Sequence, residues 1–240
     1  MRIKVVVPVT TDYYNEIVEK DFGKVVRSDT EIDVVGLRRG AFRIESVYDE
    51  AFSIPFMLEQ LKKAEEDGYD AAVVFCATDP GLSAAKELLT IPIVGLLESS
   101  MHLAAMLGDK FSVLAPVKTS APCYREKARM CKIEDRLASV RDVNIQVADL
   151  EKDLDELKKR LLEEGKKCVQ EDGADVIIFG CGGIRVLSEW LQSQLGIPVI
   201  EPGLVAIKTA EMLVDLRLTH SKKTFMKPVK KDVYLYESYK

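Results

Sequence analysis

Histidine is nearly missing from this chain. Of 240 residues only His102 and His220 carry an imidazole, and no Cys-x-x-Cys pair occurs, so none of the usual zinc or redox-dithiol spacings can be assembled. Positive charge is not in surplus: 34 Lys and Arg stand against 39 Asp and Glu, a formal charge of −5. That balance gives no footing for nucleic acid or an anionic membrane as a partner. No apolar run reaches the roughly 20 residues of a membrane span, and the opening MRIKVVVPV reads as a first strand rather than an export signal. The five cysteines are odd in number and irregular in spacing, which points to reduced thiols in a cytoplasmic setting rather than a disulfide framework.

Short apolar runs do alternate with longer amphipathic stretches, the signature of an α/β protein with parallel strands. Strands are expected near 3–9, 32–37, 71–75, 93–95, 111–115, 143–147, 176–179 and 198–200. Their near-continuous Val and Ile content suits strands covered by helices on both faces. The clearest helix is expected from 150 to about 171, with Leu150, Leu154, Leu157 and Leu161 on one face. Pro55 is expected to kink, or to end the first section of, a helix that begins near Glu45. Charge alternation in EKDLDELKKRLLEEGKK reads as a solvated face.

An internal repeat organises the rest. DGYDAAVVFC ends on Cys76 and DGADVIIFGC ends on Cys181, and the pairs Asp67/Asp172, Asp70/Asp175 and Cys76/Cys181 are each 105 residues apart. Further on, IPIVGL and IPVIEP are 106 apart. The expected architecture is therefore two pseudo-symmetric α/β lobes, residues 1–97 and 98–205, with a site in the cleft between them. A helix at about 205–217 should return to the first lobe, followed by a tail at 218–240. Within that tail, DVYLYES is read as either an extra edge strand or a contact with another subunit.

Ligands of open parallel sheets bind beyond the carboxyl ends of the strands, where both cysteines stand. A lone cysteine there is most simply core filler; two at one repeat offset favour function. A thiolate on one face of a carbon and a thiol on the other is what inversion of a stereocentre requires. Carbanion formation next to a carbonyl also needs nearby N–H donors, and the small residues Ala77, Gly182 and Gly183 let backbone approach a ligand. Cys123, Cys131 and Cys168 lie in helical stretches and read as packing or surface thiols.

The segments RGAFRIESVYDEA, CATDPGLSAAKE, IVGLLESSMHLAAMLGDKFSVL, RLASVRDVNIQVADLE, GCGGIRVLSEWLQSQLGIPVIEP and AIKTAEMLVDL resemble, in that order, the aspartate/glutamate/hydantoin racemase superfamily, nearest its hydantoin and allantoin racemase branch. The resemblance covers about residues 36–217. It implies a cofactor-independent, metal-independent and oligomeric racemase of small molecules, with Cys76 and Cys181 as its acid–base pair and Val9, Thr10, Ala77, Thr78, Gly182 and Gly183 near substrate. The chain departs from the branch where substrate is chosen. Val7-Pro8-Val9-Thr10 replaces an Asn-Pro-Asn-Thr-like loop, Ala77 replaces a common aromatic, and Ala115-Pro116 stands where threonines are usual. Inversion chemistry is thus implied more strongly than hydantoin itself. Two alternatives stay open: a maleate-type cis–trans isomerase with a nucleophilic cysteine, and a non-catalytic binder of the same fold.

Other positions have ordinary readings. Thr10 and Thr11 are expected to cap the first helix, Glu45 and Asp49 to cap the next, and Asp79 to cap a helix beginning at Pro80. Glu201 is read as either polarising Cys181 or lying at the surface, His102 as packing in the core or at an interface, and Trp190 as a packing residue.

Overall fold

The structure is a computed structural model describing residues 1–150, 152–184 and 187–229. Strands β1 (Arg2–Val6), β2 (Glu31–Val35), β3 (Ala71–Val74) and β4 (Ile93–Gly95) form one sheet in the order β2-β1-β3-β4. Strands β5 (Phe111–Ala115), β6 (Leu137–Asp142), β7 (Val176–Phe179) and β8 (Val199–Ile200) form a second in the order β6-β5-β7-β8. Every pairing is parallel, and the two orders are the same permutation. The two lobes expected from the repeat are these two sheets, and β3 and β7 sit at the 105-residue offset.

Helices cover both faces of each sheet. In the first lobe α1 (Asn15–Gly23) and α8 (Pro202–Asp215) lie on one face, where Phe22, Ala206, Ile207 and Ala210 meet Ile3, Val5 and Val73. On the other, α2 (Val47–Glu66) and α3 (Leu82–Leu88) bring Met57, Leu61 and Leu82 against Val6, Ala72 and Val74. In the second lobe α6 (Leu154–Gln170) and α7 (Ser188–Leu195) pack Leu157, Leu161 and Leu191 on Ile177 and Phe179. Its other face takes α4 (Leu96–Leu107) and α5 (Ala121–Met130), through Leu97, Met101 and Tyr124. Alternate residues of each strand feed opposite layers, which is why the runs are apolar throughout. No helix among the described residues is long and apolar enough to cross a membrane.

The repeated Asp-Gly-x-Asp has a structural cause. Gly68 and Gly173 take left-handed φ values of +76° and +74° just past α2 and α6, which glycine adopts without a Cβ penalty. The next aspartates then anchor neighbouring backbone. Asp70 accepts the Arg2 N–H at 2.7 Å, and Asp175 accepts those of Asp109 and Lys110, both at 3.0 Å.

Several expectations are corrected. The sixth strand is Leu137–Asp142, not 143–147; it is a half-exposed edge strand carrying Arg141 and Asp142, so its sequence lacks the apolar run. Beyond the strand, Asn144 takes a left-handed φ of +54°. Helix α6 starts only after Asp153, whose carboxylate accepts the Glu156 N–H at 3.0 Å, so Leu150 is buried outside it and Leu154 is 45% exposed. Helix α2 continues through Pro55, so the proline does not end its first section; Pro55 and Ala51, four residues earlier, both face solvent. Helix α1 starts after Tyr14 with no side-chain cap, so neither Thr10 nor Thr11 caps it. Ser46 caps α2, and Asp49 accepts the Ser46 hydroxyl and the Glu45 N–H. His102 is exposed on α4, so it does not pack in the core. The segment DVYLYES lies outside the described residues.

Asp79 does not cap α3, whose preceding residue is Gly81. Its fully buried carboxylate instead accepts the Leu97 and Glu98 N–H groups at 2.9 and 2.7 Å, capping α4. In the second lobe Glu201 is buried, not at the surface, and caps α8 through the N–H groups of Gly203 and Leu204. A Cβ added to Gly95 would lie 2.5 Å from the Asp79 carboxyl carbon. Gly95→Ala should therefore destabilise the protein, and Asp79→Ala should cost about 1–3 kcal/mol through the orphaned N–H groups. Combined, they should cost clearly less than their sum, because the clash vanishes with the carboxylate; urea unfolding of the three variants measures this.

Candidate active site

Cys76 and Cys181 stand two residues beyond β3 and β7, each followed by the same tight turn. The Asp79 N–H donates to the Cys76 carbonyl at 3.0 Å, and the Ile184 N–H donates to the Cys181 carbonyl at 3.2 Å. Both cysteines line one narrow cavity of about 80 Å³ between the lobes. Val9, Ala77, Thr78, Gly182 and Gly183 line it too. Thr10 is not among the lining residues; its N–H and hydroxyl both turn to the Ala41 carbonyl.

The lining is largely apolar: Val7, Pro8, Val9, Ile44, Pro116 and Val147 contribute to it. Arg43 and Ile44 enter from the loop before α2, and Glu45 ties that loop across the cleft. Its carboxylate accepts the Val147 N–H at 2.9 Å, and its carbonyl accepts the Thr119 hydroxyl at 2.8 Å. Ser120 and Tyr124 enter from the second lobe, and the Tyr124 hydroxyl donates to the Gly180 carbonyl.

Glycine is required at two of these positions by close approach. A Cβ on Gly182 would fall 2.7 Å from the Phe75 ring, which belongs to the opposite lobe. One on Gly180 would meet the Ala115 backbone and the Tyr124 hydroxyl, each at 2.9 Å. Reading the sequence alone did not select Arg43, Ile44, Tyr14, Ser120, Tyr124 or Gly180. Arg43 and Ile44 lie within RGAFRIES, and Gly180 directly precedes Cys181, so proximity to a motif was a usable signal for those three. Nothing in the sequence marks Tyr14.

The two thiols are placed alike but partnered differently. Cys76 Sγ lies 3.3 Å from Thr78 Oγ1. Cys181 Sγ accepts the Gly183 N–H at 3.3 Å. Burial pushes the Cys76 thiol up to about 12, opposed by the Thr78 hydroxyl and N–H and reinforced by negative charge at Glu50 and Cys181. Among the described residues no three His, Cys, Asp or Glu side chains are grouped to hold a metal ion.

The family model for Asp/Glu/hydantoin racemases matches residues 3–210. A hydantoin racemase of Pseudomonas sp. (strain NS671) is 39% identical over 233 residues, 97% of this chain and 94% of that protein. One from Paenarthrobacter aurescens is 34% identical over 233 residues, covering 96% and 99%. The solved allantoin racemase from Klebsiella pneumoniae superposes with a TM-score of 0.92 at 32% identity, covering 98% of this chain and 97% of that one. Glutamate racemase from Francisella tularensis, at 15% identity and a TM-score of 0.66, shares the fold.

The Cys76 shift predicts a distinctive thiol titration. An ordinary thiol is half ionised near about pH 8.5, whereas alkylation of Cys76 by iodoacetamide should keep rising with pH toward about 12. The folded state prefers the neutral thiol. Its stabilising contribution is therefore complete below about pH 8.5 and is lost as pH climbs through the folded value. Peptide mass mapping of alkylation against pH checks this; a plateau near about pH 9 contradicts it.

Proposed function

Because the chain belongs to the Asp/Glu/hydantoin racemase family, we propose that it inverts C5 of 5-substituted hydantoins, with Cys76 and Cys181 as the acid–base pair. It is an isomerase of that family; the substrate and the roles of the thiols are the proposed part. The observation carrying the proposal is that two cysteines from opposite sheets line one apolar cavity. A thiolate takes the C5 proton on one face, the electron pair moves onto the adjacent carbonyl, and the other thiol returns a proton to the opposite face. The reverse reaction exchanges the two protonation states, which two like residues permit.

Burial fits this role. A thiolate generated in a dry cavity is a stronger base than one in water, and a carbon acid next to a carbonyl needs a strong base. The cost is that little of Cys76 is ionised at neutral pH. Ala77, Gly182 and Gly183 leave room for the ring to approach backbone, and Arg43 supplies a cation to the lining.

The apolar lining also supports a choice within the substrate class. Val7 and Val9 both line the cavity, and neither can hydrogen-bond a polar substituent through its side chain. An alkyl group at C5 matches these surfaces, whereas the ureido group of allantoin would lose hydrogen bonds to water without replacement. In D₂O, 5-isobutylhydantoin should lose its C5 proton signal and its optical rotation together, with kcat/KM at least about tenfold above that for allantoin. Cys76→Ser and Cys181→Ser should each lower racemisation by about 10²-fold or more. Binding without exchange would favour the non-catalytic reading, and full activity in either serine variant would remove that residue from the pair.

A further inference from the structure

Thr78 lines two cavities. It belongs to the one holding both thiols and also to a second, behind it, lined by Glu50, Asp79, Cys123, Glu126 and Lys127. Among the described residues no other lines both. On the thiol side the Thr78 hydroxyl is 3.3 Å from Cys76 Sγ. On the far side Glu50 lines the second cavity together with Thr78 and Cys123, and its Oε1, sealed from solvent, has no hydrogen-bond partner. A buried, unpartnered carboxylate oxygen is costly, and taking up a proton relieves it.

We propose that Glu50, acting through the Thr78 hydroxyl, is a proton relay that sets the protonation of Cys76 and exchanges that proton with the second cavity between turnovers. This rests on the two-thiol reading and supplies a step which that reading requires. Each inversion leaves the two thiols with exchanged protonation, so before the same enantiomer is taken again one sulfur must lose a proton and the other gain one; the relay serves Cys76, and the partly exposed Cys181 exchanges its own proton with solvent in the cleft.

Cys76 Sγ passes its proton to Thr78 Oγ1 while the Thr78 hydroxyl hydrogen passes to the Glu50 carboxylate; Glu50 then releases a proton to water in the second cavity. The reverse sequence recharges Cys76. With Glu50 protonated, its O–H donates to Thr78, whose own hydrogen turns to the sulfur and favours thiolate. With Glu50 ionised, Thr78 donates to the carboxylate and leaves its oxygen to accept from the thiol. Burial holds Glu50 above the usual carboxylate range; Thr78, Cys123 and Lys127 oppose this and Asp79 adds to it.

A double-mutant cycle on the full chain, read by Cys76 alkylation at about pH 8, tests this without substrate. Glu50→Gln keeps the shape and donates permanently to Thr78, so Cys76 should alkylate at least about threefold faster. Thr78→Val should slow alkylation, and in that background Glu50→Gln should bring no gain; Thr78→Ser should restore it. An unchanged rate in Glu50→Gln, or a gain that persists in the Thr78→Val background, overturns the relay and leaves at most a through-space charge effect. With 5-isobutylhydantoin, Glu50→Gln should lower kcat at least about tenfold with KM within about twofold, and any limb of the kcat profile that reports a carboxylate should disappear. A wild type inert to hydantoins defeats the hydantoin assignment, while the alkylation cycle still decides the relay. An active wild type with unchanged kcat in Glu50→Gln defeats the relay alone.

Discussion

Both cysteine loops lie above the start of a helix that must be capped away from water, and this constraint shapes the site. The first N–H groups of α4 and α8 have no partner within their own helices, and burial denies them solvent. Each lobe meets the need with one carboxylate, placed differently. In the second lobe Glu201 stands at the capping position and bonds Gly203 and Leu204. In the first, that position is Gly95 and the carboxylate comes from Asp79, in the turn after Cys76. At the 105-residue offset Asp79 corresponds to Ile184, so the halves have exchanged which element carries the charge. Asp79 also lies 3.6 Å from Lys127 on α5, so the Cys76 turn is tied to two helices that pack on the opposite sheet. The left-handed φ of +50° at Asp79, unfavourable for most side chains but tolerated by Asp, is held by those contacts.

Such a tie explains how pseudo-symmetry can place two thiols alike while treating them differently. The strands fix where each sulfur stands, since β3 and β7 end at equivalent positions in equivalent sheets. The turn residues fix what each sulfur touches. A hydroxyl beside Cys76 can donate or accept, so its hydrogen can follow a proton. The N–H of Gly183 beside Cys181 can only donate. The environment of Cys76 is therefore switchable, whereas this contact to Cys181 is fixed in sign, an asymmetry invisible in the backbone.

The sequence was most legible where local rules and the repeat agree. The runs 71–75 and 176–179, the glycines of Asp-Gly-x-Asp and the two cysteines are all marked by composition and offset, and sheets of matching order follow from them. Legibility failed where a residue's role depends on a distant partner. The strand Leu137–Asp142 is half exposed at a sheet edge, so its pattern was not apolar enough to stand out. Asp79-Pro80 has the local form of a helix start, yet its carboxylate serves α4, eighteen residues on. Glu50 lies among exposed residues of α2, and only the approach of Thr78 and Cys123 gives it meaning. Thr10 occupied a motif position, but the Ala41 carbonyl holds it away from the cavity.

Dryness and proton supply are linked in this cleft. Under the proposed chemistry, apolar lining from Val7, Val9 and Val147 raises the basicity of a sulfur beside it and offers no side-chain group that could restore its proton. A wet cavity would avoid the second problem and forfeit the first, because solvent would level the thiolate toward ordinary basicity. Under the proposed relay, side chains rather than bulk water carry protons to Cys76. Thr78 is the residue placed to do so, since among the described residues it alone belongs both to the cavity with the sulfurs and to the polar one behind them. On this view the valines that stand in place of polar residues around the site and the buried carboxylate behind it are parts of one arrangement: the drier the chamber, the more its chemistry depends on a wall that passes protons.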